Sequence, residues 1–124
     1  MSYDKNNIFA QIIAGKIPCK KIYENEEVLA FNDINPVAPI HVIVIPKGEY
    51  ISFNDFCLNA DRDIVAGFFQ TVQKIAEELN IVNSGYRIIM NHGNDASQSV
   101  AHFHVHIIGG KALGGLVPGD LYTR

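Results

Sequence analysis

The sequence predicts an α+β fold with a mainly antiparallel sheet. Three observations carry this. Stretches with strand character outnumber helical stripes. Several of those stretches are joined by short polar turns of the hairpin kind. One long segment repeats apolar residues at helical spacing. A helix between two strands also permits a parallel crossover, so the pattern leaves the topology open.

The elements follow in order. "NNIFAQIIAGKIP" places Ile8, Phe9, Ile12 and Ile13 on one helical stripe, with Asp4 or an Asn as cap and Gly15 and Pro18 as stops. "KKIYENEEVLAFND" reads as two short strands around the polar turn Glu24–Glu27. Pro36 and Pro39 make the next segment irregular. "HVIVIPK" is apolar on both faces, which suits a central strand. "ADRDIVAGFFQTVQKIAEELN" is the clearest helix: Val65, Phe68, Val72, Ile75 and Leu79 share a face, Asn59 or Asp61 caps it, and Asn80 lies near its end. "GYRIIM" is a strand, "NHGNDASQS" a polar loop, and "VAHFHVHII" the final strand. The tail "GGKALGGLVPGDLYTR" carries too much Gly and Pro for regular structure.

The totals exclude several classes. A chain of 124 residues fits one domain, 1–124, with 111–124 as its irregular tail. Net charge is −3, so no broad basic face for nucleic acid is expected. No apolar run approaches the ~20 residues that span a bilayer, and the opening "MSYDKNN" is polar. A protein without membrane association, located in the cytoplasm, is expected. Cys19 and Cys57 form no CxxC and read as free, buried or half-buried thiols.

"QSVAHFHVHIIGG" holds three of the five histidines. Alternate side chains of a strand share a face. His102, His104 and His106 then line one side, and Ala101, Phe103, Val105 and Ile107 the other. Three readings stand open. The rings could be a solvated polar face. They could bind a metal, although residues i and i+4 of a strand are ~13 Å apart at ~3.3 Å per residue, so one ion cannot easily take all three. They could do nucleophilic or acid–base work on an anion, because imidazole near its ~6.5 reference pKa is largely unprotonated at neutral pH. The loop upstream offers Asn91, Gly93, Ser97, Gln98 and Ser99, donors that can hold an anion without a Lys or Arg cluster. There is no Walker loop and no GxGxxG.

"HFHVHII" resembles the signature of the histidine triad family, and "VAHFHVHIIGG" resembles its nucleotide-binding branch, the purine nucleoside phosphoramidases. "IFAQIIAGKIP", "AFNDINPVAPIHVIVIPK" and "NHGNDASQSVAHFHVHIIGG" resemble family segments in order, from about Asn7 to Gly110. The resemblance implies a five-stranded antiparallel sheet with two helices, usually paired as a homodimer. It implies a hydrolase acting at the α-phosphorus of a purine nucleotide joined to an amine, with no cofactor. His104 would be the nucleophile, His102 and His106 would contact phosphate and orient it, His41 would orient the site, and Ser99 would lie near the leaving group. Asn91 and Gln98 would line the phosphate site. Asp33 would accept the ribose hydroxyls, and Ile8, Phe9, Ile12, Phe31 and Ile34 would form the base slot.

Some positions depart from the pattern. Asn7 and Ala10 stand where some bacterial relatives carry a zinc-binding Cys pair, so no metal site is expected. Asn32 stands where many carry His beside the ribose Asp. His92 replaces an acidic residue of animal relatives, and the tail lacks their tryptophan. A sister branch hydrolyses dinucleoside polyphosphates, but it tends to follow the triad with a Pro-Arg type ending, where this chain has Gly109-Gly110. A nucleotide-binding regulatory protein is the reading from another class.

Overall fold

Five strands build one sheet: β1 (Lys21–Glu24), β2 (Val28–Asn32), β3 (Ile40–Pro46), β4 (Tyr86–Ile89) and β5 (Val105–Gly109). Their order is β1-β2-β3-β5-β4, and every neighbouring pair is antiparallel, which settles the topology that the pattern left open. The computed structural model describes residues 2–121.

The first hairpin turns where expected. The Asn25 side chain accepts the N–H groups of Glu27 and Val28, both at 2.8 Å, an Asx turn that reverses the chain. β3 pairs on both sides, and His41–Pro46 are all buried, as its apolar run requires.

α1 (Ile8–Ile13) is capped by Asn7, whose side chain accepts the Ala10 N–H at 2.9 Å, and it gives way to Gly15 at φ +78°. α3 (Arg62–Glu78) packs Phe68, Val72 and Ile75 inward. Asp61 sits at its N-cap but makes no side-chain cap bond, and Asn80 turns left-handed just beyond its end. A short helix, α2 (Phe53–Asn59), is not marked by the sequence pattern. At seven residues it is too short to show a period. Its signal is the cap: Ser52 Oγ accepts the Asp55 N–H at 3.2 Å. Cys57 rides on its outer side, so the thiol is exposed rather than buried; Cys19 is half-buried, and both are free.

The last strand starts later than its apolar alternation suggests, at Val105 rather than Val100. The register explains this. β3 and β5 pair Val44 with Val105, which would bring Pro46 opposite Phe103 two residues on. Pro46 has no N–H to give the ladder. Residues 100–104 therefore run outside the sheet, and the Phe103 N–H turns to the Tyr50 carbonyl at 2.7 Å.

The sheet has two unlike faces. One carries Val28, Ala30, Val42, Val44, Val105 and Ile107, joined by Phe103 from the segment before β5, against Phe56 of α2 and Phe68, Val72 and Ile75 of α3. Phe56 stacks on Phe103 with ring centroids 4.8 Å apart. The other face carries Leu29, Phe31, Ile43 and Ile45 against Phe9 of α1. Residues 111–121 form no helix or strand, as expected for the tail; 122–124 lie outside the described residues. Among the described residues no helix is long and apolar enough to cross a membrane.

Candidate active site

The α1 face of the sheet assembles the site. β2 and β3 pair Asn32 with Val42, so Asp33 comes opposite His41, and its N–H donates to the His41 carbonyl at 3.0 Å. β3 and β5 pair Ile43 with His106, which makes His41 and His106 diagonal neighbours. His104 lies two residues before His106, and their rings meet edge-on at 5.3 Å. Ladder register thus places Asp33, His41 and His106 in a row, and His104 extends it from just outside the ladder. The alternation read from the sequence is kept, since Phe103, Val105 and Ile107 all enter the helix-side core.

The partners of each ring fix its tautomer. A backbone carbonyl only accepts and a backbone N–H only donates. His104 Nδ1 lies 2.7 Å from the His102 carbonyl, so Nδ1 carries the proton and Nε2 keeps its lone pair. Among the described residues no buried side-chain nitrogen or oxygen lacks a partner. Nε2 of His104, which has none, therefore opens to solvent. His41 Nδ1 accepts the Val37 N–H at 3.1 Å, so its Nε2 is protonated and donates to His106 Nδ1 at 2.8 Å. His106 is left with an N–H on Nε2. His41 Nε2 also lies 3.3 Å from Asp33 Oδ2.

Electrostatics agree with neutral rings. Burial pushes the His106 pKa down to about 4, helped by the His104 and His41 rings. Burial likewise takes His102 to about 4 and holds His104 below the usual histidine range. All three are neutral near pH 7, which preserves the lone pair on His104.

His102 corrects one expectation. It is 0% exposed, its Nε2–H donates to the Pro46 carbonyl at 2.8 Å, and its Nδ1 accepts the Tyr3 hydroxyl. It presents no nitrogen to a ligand, and supports His104 from behind through its own carbonyl. Pro46 thus has two effects: it ends the ladder, and its carbonyl anchors the ring that the ended ladder releases.

The loop over residues 91–99 stands beside this row. Gly93 at φ +80° and Ser97 at φ +58° shape it around a single 3₁₀ turn, Asn94–Ala96. Gln98 braces it. Its Oε1 accepts the Gly93 N–H at 3.0 Å, and its Nε2 donates to the Ile51 and Val100 carbonyls at 2.8 and 3.1 Å. Both amide protons are engaged there, so Gln98 contributes the shape of the loop. Asn91 is half-buried, and Ser99 and His92 are exposed.

The apolar set divides by burial. Phe9 and Phe31 are buried, edge-on at 5.7 Å, and Phe9 also meets the His104 ring at 4.9 Å. Ile12 is half-buried beside them. Ile8 and Ile34 face solvent, Ile34 at 90% exposure on the loop that carries Asp33. Gly110, at φ +90°, follows β5 beneath that loop; a Cβ there would lie 3.0 Å from Pro39. The second glycine of the Gly-Gly after the triad therefore has a steric and conformational reason.

Asp33, His41 and His106 each bring a donor atom within 4.8 Å of the others, the spacing of a possible cation site. As placed, the two ring nitrogens are 2.8 Å apart, a hydrogen-bond distance. Zinc bonds of ~2.0–2.1 Å at tetrahedral angles would need ligand atoms ~3.4 Å apart. The arrangement found suits passing a proton between rings.

The Asp33–His41–His106 cluster on this sheet supports hydrolase chemistry of the nucleotidyl-transfer type. The chain belongs to the histidine triad family: the HIT domain model matches residues 14–113. It is 47% identical over 116 residues to a 13.2 kDa HIT-like protein of Azospirillum brasilense, covering 94% of this chain and 95% of that one. It is similar to the structure of a histidine triad protein from Clostridium difficile, with TM-score 0.83 and 43% identity over 92% of this chain and 98% of that one. A HIT family hydrolase from Clostridium thermocellum is similar too, with TM-score 0.83 and 38% identity over 90% and 96% of the two chains.

Proposed function

We propose that this chain hydrolyses purine nucleoside phosphoramidates, AMP or GMP joined to an amine, through a nucleotidyl-histidine intermediate. One observation carries the reading: His104 Nδ1–H is held by the His102 carbonyl at 2.7 Å, which leaves Nε2 as an accessible lone pair. That nitrogen attacks the α-phosphorus. The P–N bond breaks, and the amine leaves as its nitrogen takes a proton from water. Water then attacks phosphorus, passing its proton to the hydroxide left by the first step; the P–N bond to His104 breaks, and the nucleotide departs. Covalent catalysis divides one difficult displacement into two easier ones. His106 offers its Nε2–H to a phosphate oxygen, and His41 holds that ring in its donor state.

The remaining assignments belong to the same reading. Asn91 and the Gln98-braced loop line the phosphate site, with Ser99 near the leaving group. Asp33 accepts the ribose hydroxyls. Ile8, Phe9, Ile12, Phe31 and Ile34 hold the base, a role that gives the exposed Ile34 side chain a partner. A homodimer through an edge of the sheet completes the proposal; β4 has one side unpaired within the chain, and light scattering coupled to size exclusion tests it.

The test is release of AMP from adenosine 5′-phosphoramidate, wild type against His104→Ala, with and without EDTA. Chelator-resistant release, lost in the variant, is the expected result. Hydrolysis of a dinucleoside polyphosphate instead would assign the sister activity. Tight nucleotide binding without turnover of either would assign a regulatory role.

A further inference from the structure

The carbonyl that orients His104 belongs to residue 102, and residue 102 lies outside the sheet ladder. Strand pairing therefore does not fix it. Two ties fix it: the Phe103 N–H, on the same peptide, donates to the Tyr50 carbonyl at 2.7 Å, and the His102 side chain is bound at both ends, Nε2–H to the Pro46 carbonyl at 2.8 Å and Nδ1 to the Tyr3 hydroxyl at 2.5 Å. Because Nε2 must carry the proton to reach a carbonyl, Nδ1 is the acceptor and Tyr3 the donor. The Tyr3 ring also meets His102 edge-on at 5.5 Å.

The turn that follows Tyr3 is itself held. The turn before α1 ties the Asn7 N–H and side-chain amide to the Asp4 carbonyl at 3.2 and 2.8 Å, and the Asn6 N–H to Asp4 Oδ1 at 2.8 Å. Burial raises the Tyr3 pKa, a hydrogen bond from Asn7 opposing, so the hydroxyl remains a donor at neutral pH. A chain of contacts thus runs from the segment before α1 to the reacting nitrogen, through Tyr3 Oη–H, the His102 ring, the His102 carbonyl and His104 Nδ1–H.

We infer that Tyr3 is a positioning residue for His104, so that the segment preceding α1 is part of the catalytic apparatus. It touches neither the reacting atoms nor His104 and acts only through His102. The inference rests on the reading of His104 as nucleophile. Tyr3→Phe is the discriminating variant, since it keeps the ring and removes only the donor, leaving a buried acceptor unsatisfied.

Two measurements test it. The first needs no substrate: the His104 Nδ1–H proton, observed by ¹⁵N-edited NMR of histidine-labelled protein. In Tyr3→Phe it should exchange with solvent about tenfold faster, the size expected when one buried hydrogen bond is lost. An unchanged exchange rate overturns the inference. The second is turnover of adenosine 5′-phosphoramidate at a temperature well below the melting transition of both proteins. Here kcat should fall about tenfold while KM stays within twofold, because a group that misorients the nucleophile affects the chemical step and not binding. A lower Tm with unchanged kcat overturns the inference and leaves Tyr3 a packing residue. Wild-type protein inactive on this probe would refute the phosphoramidase reading alone, and the proton-exchange result then decides the role of Tyr3.

Discussion

The two faces of the sheet are made by the same strands and differ in what they bury. The helix-side face closes over hydrocarbon and aromatic rings alone: Phe56, Phe68, Phe103, Val105 and Ile107 need no directional partner. The α1 side buries His41, His102 and His104 together with a smaller apolar set. Those imidazoles are accommodated because backbone groups meet them at His102 O, Pro46 O and Val37 N. Nonpolar packing tolerates small displacements; a ring held by one carbonyl does not. Stability therefore resides mainly on one face, and chemistry on the other.

The largest expected effect isolates the chemistry. His104→Ala should lower turnover at least about a thousandfold, as loss of a covalent nucleophile does, while nucleotide binding by calorimetry and the far-UV spectrum persist. The reverse experiment is Phe56→Ala. It should cost about 3–5 kcal/mol in urea unfolding, the range for emptying a buried aromatic site, with little change in kcat at low temperature for the fraction still folded. If Phe56→Ala instead removes activity without lowering stability, the two faces are not separable in this way.

Acid should weaken the imidazole side selectively. His102 and His106 have folded pKa values of about 4 against ~6.5 when unfolded, so the unfolded chain binds more protons between those values. Their contribution to stability is complete above pH ~6.5 and is lost as pH falls toward 4. The urea midpoint should drop between pH 7 and pH 5, and a double His102→Gln, His106→Gln variant should show a flatter profile. The acid limb of kcat/KM should lie below pH ~6.5, since His104 stays unprotonated there. The smallest effect belongs to neither face: Cys57→Ser, on the exposed side of α2, should change stability by no more than about 0.5 kcal/mol and leave turnover unaltered.

The Phe68-Val72-Ile75 stripe and the His-φ-His alternation were plain, because both are periods of one continuous segment. α2 was not, since a helix of two turns shows a cap before it shows a period. β5 starts later than its alternation predicts because apolar alternation marks extended backbone, whereas a strand also needs a neighbour able to pair. Pro46 removes that neighbour's N–H from another element. The three histidines read as a set, but their division of labour does not: His102 supports, His104 opens to solvent, and His106 accepts from His41.

By itself the sequence determined the fold class, the position of most strands, and the presence of a histidine row with apolar residues between. Those follow from local periodicity and turn chemistry. Only the tertiary structure decided which nitrogen of each ring carries a proton, that Asp33 stands beside His41, and that Tyr3 reaches His102 from 99 residues away. The reason is physical. A tautomer is set by the partner a ring nitrogen meets, and those partners come from β3, from the loop at Val37 and from the segment before α1. They become neighbours only when the ladder register brings them together.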